Sequence, residues 1–174
     1  MVGGAVIVVV VFMIRGGVGG GNISDAELLG EDVPMSRALH ISDRALLEIR
    51  EGDPPSGGPH FGSNLGGPIC TGIYDEPLPD GNVIHSLEHG MVWITYNPDL
   101  IDENGLEVVR DVADAFGNDV VLSPRPQNAM PVAAVSWGRI LRLDPVDEDQ
   151  LRDFVSTNRN RSPEPRIRTG CARP

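Results

Sequence analysis

The chain has few basic residues, few aromatic residues and only two cysteines. Fourteen lysine and arginine residues stand against 25 aspartate and glutamate residues, which gives a formal net charge of −11. A nucleic-acid partner requires a basic surface that neutralises phosphates, so we expect no nucleic acid to bind. Aromatic residues make up 5% of the chain, whereas glycine and proline number 21 and 15. We therefore expect much of the backbone to be loop.

The chain also lacks a hydrophobic run that is long enough to cross a membrane. Residues 1–14 are almost wholly apolar, but a helix of that length rises only about 21 Å, against roughly 30 Å of hydrocarbon. The run is typical of a signal-peptide core or a truncated membrane anchor, although no basic segment precedes it. We hypothesise that the true start lies upstream and supplies the missing basic residues.

The composition divides the chain into three segments. Residues 1–15 are predicted to be a truncated signal or membrane anchor. Residues 16–34 begin with a glycine-rich run and are predicted to be a flexible linker. The glycine run is not a phosphate loop, because no Gly-Lys-Ser/Thr follows it. Residues 35–174 fit a single domain. We expect this domain to be extracytoplasmic, either membrane-anchored through the N-terminus or secreted.

The two cysteines, Cys70 and Cys171, predict a disulfide. An even pair in an exported chain is most simply a bridge, here between a middle loop and the C-terminal tail. Closing so long a loop contributes about 4–5 kcal/mol in the chain-entropy model. The alternative is that Cys70 is a thiolate metal ligand, and the disulfide is favoured over it.

The hydrophobic pattern predicts an α+β fold. Glycine, proline and polar residues dominate the first half, whereas regular periodicity begins at Met91. From there the predicted elements are a strand, a helix, three strands and a helix, at residues 91–96, 106–116, 119–122, 132–137, 140–143 and 147–158. We therefore expect a loop-rich N-terminal half packed on a β-α-β-β-β-α C-terminal half.

The histidines carry the main functional prediction. His85 and His89 are four residues apart, so one helical turn would place both imidazoles on the same face, within reach of one metal ion. His60 lies between a proline and an aromatic residue in a stiffened loop, and such loops often carry binding residues. We predict a transition-metal site formed by His60, His85 and His89. Three neutral imidazoles suit copper or zinc.

Four further residues are assigned supporting roles in this site. His40 is a possible fourth ligand. Met91 could add a thioether that favours copper(I), although a place in the hydrophobic core is the preferred interpretation for it. Glu88 is expected to orient an imidazole through its distal N–H, and Tyr74 to line the pocket.

Two other functions compete with metal binding alone. Residues 85–89 match His-x-x-Glu-His, the signature of inverted zinc peptidases, in which the glutamate acts as general base. A glycine and a strand follow immediately, which leaves little helix to present Glu88 beside both histidines. The second alternative is a metal-free interaction domain whose histidines hydrogen-bond loop backbone. A binding protein is favoured over an enzyme, and no catalytic residue is assigned.

Several short motifs occur in a characteristic order, with His-Ser-Leu-Glu-His-Gly at 85–90 the most specific. The others are Pro-Pro-Ser-Gly-Gly-Pro-His-Phe at 54–61, Gly-Ile-Tyr at 72–74, Tyr-Asn-Pro at 96–98, Trp-Gly-Arg at 137–139 and Pro-Glu at 163–164. From about residue 40 to residue 164 the chain resembles the bacterial family called domain of unknown function 3105. The resemblance implies an N-terminal membrane segment before an extracytoplasmic domain, and a histidine at His40. Ser56, Gly57 and Phe61 depart from the family's usual Pro-Pro-Thr-Ser-Gly-Pro-His-Tyr.

Overall fold

The computed structural model describes residues 29–47, 51–164 and Cys171. The segment predicted as a signal or anchor, and most of the predicted linker, lie outside the described residues. Within those ranges the chain forms eight strands and three α-helices. Their bounds are β1 (Glu31–Asp32), β2 (Leu39–Ile41), β3 (Pro59–Phe61), β4 (Gly72–Ile73), α1 (Asp80–Glu88), β5 (Val92–Tyr96), α2 (Glu103–Ala115), β6 (Val120–Pro124), β7 (Val132–Ser136), β8 (Arg139–Leu143) and α3 (Glu148–Asn158).

Six of the strands form one mixed sheet in the order β1-β8-β7-β5-β6-β4. β5 pairs in parallel with β6 and antiparallel with β7, and β7 and β8 form a hairpin that turns at Gly138, whose φ is 79°. β2 and β3 pair in parallel as a separate two-stranded sheet. The predicted α+β class is confirmed, and β5-α2-β6-β7-β8-α3 is the expected β-α-β-β-β-α half.

Both faces of the sheet are buried, which explains why its strands are apolar at nearly every position. Alternate residues such as Val92 and Ile94 face α2 and α3 in one hydrophobic cluster. The residue between them, Trp93, faces the opposite side and packs with Val83 and Leu87 of α1. The sheet is therefore a rigid middle layer, and α1 is held against the face opposite to α2 and α3.

The helix α1 joins the six-stranded sheet to the small β2–β3 pair. It begins at Asp80, in the half of the chain that was predicted to be loop-rich, and His89 is its C-terminal capping residue. A Cβ atom at Gly81 would lie 2.7 Å from the ring of Phe61 on β3, so glycine lets helix and strand approach closely. Gly90 follows with a φ of 81°, a backbone conformation that glycine adopts without strain, and leads the chain into β5.

Cys70 and Cys171 form a disulfide across a sequence separation of 101 residues. The predicted bridge is confirmed, and the alternative of Cys70 as a thiolate ligand is excluded because its sulfur is bonded to Cys171. Within the described part of the chain, no helix has both the length and the apolar character that a membrane crossing requires.

Candidate metal centre

Two sheet strands and one helix bring the candidate ligands together. His40 on β2 and His60 on β3 are direct partners in the parallel register. His85 and Glu88 lie three residues apart on α1, so their side chains project from the same face of the helix. Because α1 packs on β3, all four side chains meet where the helix crosses the strand pair.

These four residues form one compact group, which we call the His–Glu cluster. One ligand atom from each side chain lies within 4.8 Å of the others; the members are His40, His60, His85 and Glu88. The ring centroids are 4.7 Å apart for His40 and His60, 4.7 Å for His40 and His85, and 4.8 Å for His60 and His85. The three imidazoles therefore form a nearly equilateral triangle, with the Glu88 carboxylate beside it.

Backbone carbonyls fix the tautomers of the two buried histidines. Nδ1 of His60 lies 2.8 Å from the carbonyl oxygen of Gly58, and Nδ1 of His85 lies 2.7 Å from that of Phe61. A carbonyl oxygen only accepts hydrogen bonds, so in each ring Nδ1 carries the proton and donates it. In the neutral ring Nε2 then keeps a free lone pair, which is the form that binds a metal.

His60 and Glu88 make a close contact that is not a hydrogen bond. Nε2 of His60 lies 2.9 Å from Oε2 of Glu88, and their side chains are 0% and 5% exposed. Despite this distance, neither atom has a partner with hydrogen-bond geometry among the described residues. When His60 is neutral, the lone pair of its Nε2 faces a lone pair of Oε2 of Glu88 in a buried place. A cation shared by the two atoms would stabilise this arrangement.

Burial lowers the pKa of His85 to about 4. The hydrogen bond with the Phe61 carbonyl opposes this shift, and the neighbouring rings of His60, His40 and His89 add to it by charge repulsion. The ring is thus neutral near pH 7. Neutral imidazole is the form that metal coordination requires.

His40 differs from the other members of the cluster in its exposure. Its side chain is 52% exposed, and its Nε2 lies 3.5 Å from Oε2 of Glu88. Trp137 packs edge-on against His60, with the ring centroids 6.1 Å apart. The cluster is therefore buried at its base and open to solvent only at His40.

The remaining predicted site residues lie around this cluster. The ring of His89 stacks on His85 at 5.2 Å, and His89 groups with Glu88 and Glu164 rather than with His40 and His60.

Met91 is 3% exposed and belongs to the hydrophobic cluster beneath α1, where a core methionine was the preferred interpretation. The Tyr74 hydroxyl donates to the carbonyl of Cys70, and its ring packs against the same hydrophobic cluster.

Sequence reasoning gave Glu88 an orienting role and did not identify it as a candidate ligand. It also did not identify Glu164, or the carbonyls of Gly58 and Phe61 that orient the two buried rings. The i, i+3 spacing of His85 and Glu88 was the available signal for Glu88. Glu164 stood in one of the short motifs but had no assigned role. No side-chain pattern reports which carbonyl will accept from a ring nitrogen.

Comparison with known protein families gave a match over most of the chain. A family described as a protein of unknown function (DUF3105) matches residues 50–172, which include three of the four members of the His–Glu cluster. Neither the curated proteins nor the solved structures gave a significant match. Since the family match covers well over half of the 174 residues, the chain belongs to the DUF3105 family.

Proposed function

We propose that the protein binds a divalent transition-metal ion, zinc or copper(II), through the His–Glu cluster. The observation that carries this proposal is the buried contact between Nε2 of His60 and Oε2 of Glu88, two atoms 2.9 Å apart without hydrogen-bond geometry. His85 adds a second oriented lone pair, and His40 a third ring. A cation at this point would satisfy all of them.

The donor set also narrows the choice of metal. Three neutral imidazoles and one carboxylate carry a single negative charge, so a divalent ion leaves the buried site with one net positive charge. Imidazole suits zinc and copper, and a carboxylate oxygen favours a divalent ion over copper(I). Since Met91 packs in the hydrophobic core, the thioether that would have favoured copper(I) is not part of the donor set.

The fit requires a small rearrangement of the cluster. Bonds of about 2.1 Å in a tetrahedral site place ligand atoms roughly 3.4 Å apart. The ligand atoms now lie within 4.8 Å of one another. Nε2 of His60 and Oε2 of Glu88, now 2.9 Å apart, would separate by about half an ångström, and pairs that lie wider would approach each other by about an ångström.

The proposed location is outside the cytoplasm. Disulfides form and persist in oxidising compartments, and the Cys70–Cys171 bridge supports this placement. We further propose that the N-terminal residues 1–15 serve as the export signal or membrane anchor.

The test is a titration of the full chain with Zn²⁺ and with Cu²⁺ against a competing chelator. The expected result is one tight equivalent in the His–Glu cluster, weakened by roughly 100-fold or more in His60→Asn and in Glu88→Gln, because loss of a ligand costs at least as much as loss of an orienting partner. The exposed Glu107 on α2 offers a matched control, since Glu107→Gln removes the same charge elsewhere. Binding that is weak in the wild type, or equal in all three variants, contradicts the proposal.

A second candidate function is a metal-dependent hydrolase, and one observation favours it. Two histidines and a glutamate are the protein ligands of several catalytic zinc sites, and His40, the fourth member, is exposed enough for a substrate to replace it. Glu88 would then be a ligand and not the general base that the His-x-x-Glu-His signature assigns. Hydrolysis of a peptide library that chelation abolishes would support this function, and no turnover by the zinc-loaded chain would exclude it.

A further inference from the structure

His89 and Glu164 form a second group of potential ligands beside the His–Glu cluster, and the two groups share Glu88. One ligand atom each from Glu88, His89 and Glu164 lies within 4.8 Å of the others. We propose that this group, which we call the His89 group, binds a second divalent cation and that the Glu88 carboxylate bridges the two ions. This inference rests on the proposed function, because the first ion occupies the His–Glu cluster.

The spacing along α1 suits such a shared centre. His85 and His89 are one helical turn apart and their rings stack, with centroids 5.2 Å apart and planes 22° from parallel. The two rings are therefore side by side on one face, each next to a different group of ligands. Glu88 lies between them in sequence and contributes to both groups, as a bridging carboxylate does. Carboxylate-bridged metal pairs typically lie about 3.5–4 Å apart.

The C-terminal segment after α3 is fixed against the end of α1. The amide of Asn160 donates to the carbonyl of Gly90 at 2.7 Å, and the amide of Glu164 donates to the carbonyl of Glu88 at 3.3 Å. A Cβ atom at Gly90 would lie 2.8 Å from Cα of Asn160, so the segment passes in direct contact with the helix end. These contacts place Glu164 beside His89 and Glu88.

The charge in this region points to a cation as the ligand. Glu88 is 4% exposed, and its Oε2, which lies 2.9 Å from Nε2 of His60, has no hydrogen-bond partner among the described residues, so the buried carboxylate is not neutralised by a hydrogen bond at that oxygen. The Glu164 carboxylate brings a second negative charge close to it, and within residues 29–47 and 51–164 neither glutamate forms an ion pair with an arginine. Two carboxylates and an imidazole are ligands that zinc and manganese accept.

The experiment measures zinc bound per chain, in the full-length protein, by calorimetric titration and by elemental analysis after gel filtration. The wild type is expected to bind two equivalents. Glu164→Gln is expected to keep the tight first equivalent and to weaken the second by roughly tenfold or more, and Glu88→Gln to weaken both. Glu107→Gln is the matched control and should behave as the wild type. Glu164 is exposed, so its substitution leaves the fold intact.

Copper(II) supplies a readout that does not depend on affinity. Two Cu²⁺ ions bridged by one carboxylate couple magnetically, so the integrated paramagnetic resonance signal of the doubly loaded wild type should fall below the total copper. Glu164→Gln, with one ion, should give the full signal. A single equivalent in the wild type, or a second equivalent that Glu164→Gln leaves unchanged, overturns the second site and leaves the first intact. Absence of any bound zinc or copper(II) overturns the proposed function itself.

Discussion

The chemistry of the site is decided by which nitrogen of each imidazole is free. His60 and His85 each donate Nδ1–H to a carbonyl, of Gly58 and Phe61 respectively. Both rings consequently present Nε2 to the same place.

The sequence predicted that His60, His85 and His89 would meet, from the helical spacing of the last two and the stiffened loop of the first. In the structure His85 lies beside His60, whereas His89 groups with Glu88 and Glu164. The sequence could not indicate the tautomers, because they depend on carbonyls whose position only the folded backbone defines.

At this scale the metal-free protein should lose stability in mild acid because of His85. Its pKa is lowered to about 4 by burial, against about 6.5 for an exposed histidine. Between these values the unfolded chain binds more protons than the folded chain, so stability is complete above about pH 6.5 and falls as the pH drops towards 4. We expect the titration of this ring to lower the free energy of unfolding by about 2 kcal/mol between pH 7 and pH 5.

The measurement is denaturant unfolding of chelator-treated protein at the two pH values. His85→Asn keeps an N–H donor near the position of Nδ1, and so can still donate to Phe61, but it has no group that titrates in this range. The variant should therefore show a smaller loss of stability on acidification than the wild type. Identical losses in the two proteins would show that His85 does not titrate as its burial predicts.

At the scale of elements, the position of α1 determines whether the cluster forms. The helix carries His85 and Glu88, and β3 carries His60. The glycine and proline content of the first half predicted loop, because both residues disfavour helix interiors, yet α1 begins at Asp80. A distant residue explains the difference: Arg125, which is 2% exposed, binds the Asp80 carboxylate at 3.0 Å. A local pattern contains no information about that partner.

The contact between Gly81 and Phe61 gives a prediction about the helix as a whole. In an isolated helix Gly81→Ala would stabilise by up to about 1 kcal/mol, but here the new Cβ would lie 2.7 Å from the buried Phe61 ring. We expect Gly81→Ala to destabilise the fold by about 1–3 kcal/mol. Zinc affinity should fall by roughly tenfold, because the displaced Phe61 carbonyl is the one that orients His85.

Thermal unfolding and zinc competition measure these two effects. Gly117→Ala is a suitable control, since its Cβ would meet no described atom closer than 3.4 Å. A Gly81→Ala protein as stable as the wild type, with unchanged zinc affinity, would show that the spacing between α1 and β3 does not govern the site.

At the scale of the whole molecule, the two halves of the chain differ in how well sequence predicts them. The β5-α2-β6-β7-β8-α3 half followed from regular periodicity, because residues such as Val92, Trp93 and Ile94 are buried on alternate faces of one sheet. The arrangement of the first half did not follow from periodicity, because β2 and β3 are three residues each and pair across a loop. That pairing places His40 beside His60, so the fourth candidate ligand depends on the least regular part of the fold.

The disulfide and the net charge also act on the whole molecule. The bridge from Cys70 to Cys171 closes a loop of about a hundred residues, which contributes about 4–5 kcal/mol in the chain-entropy model. It ties Cys171 to the loop before β4. The net charge of −11 raises the local concentration of cations around the molecule, though it specifies no site.

The central claim is that three imidazoles and one carboxylate converge on a single ion. The most direct measurement is an anomalous difference map at the zinc edge from crystals of the full chain soaked in zinc. We predict a strong peak about 2.0–2.2 Å from Nε2 of His60, Nε2 of His85 and an oxygen of Glu88. A map without a peak there, with His60 and Glu88 still in direct contact, would contradict the account.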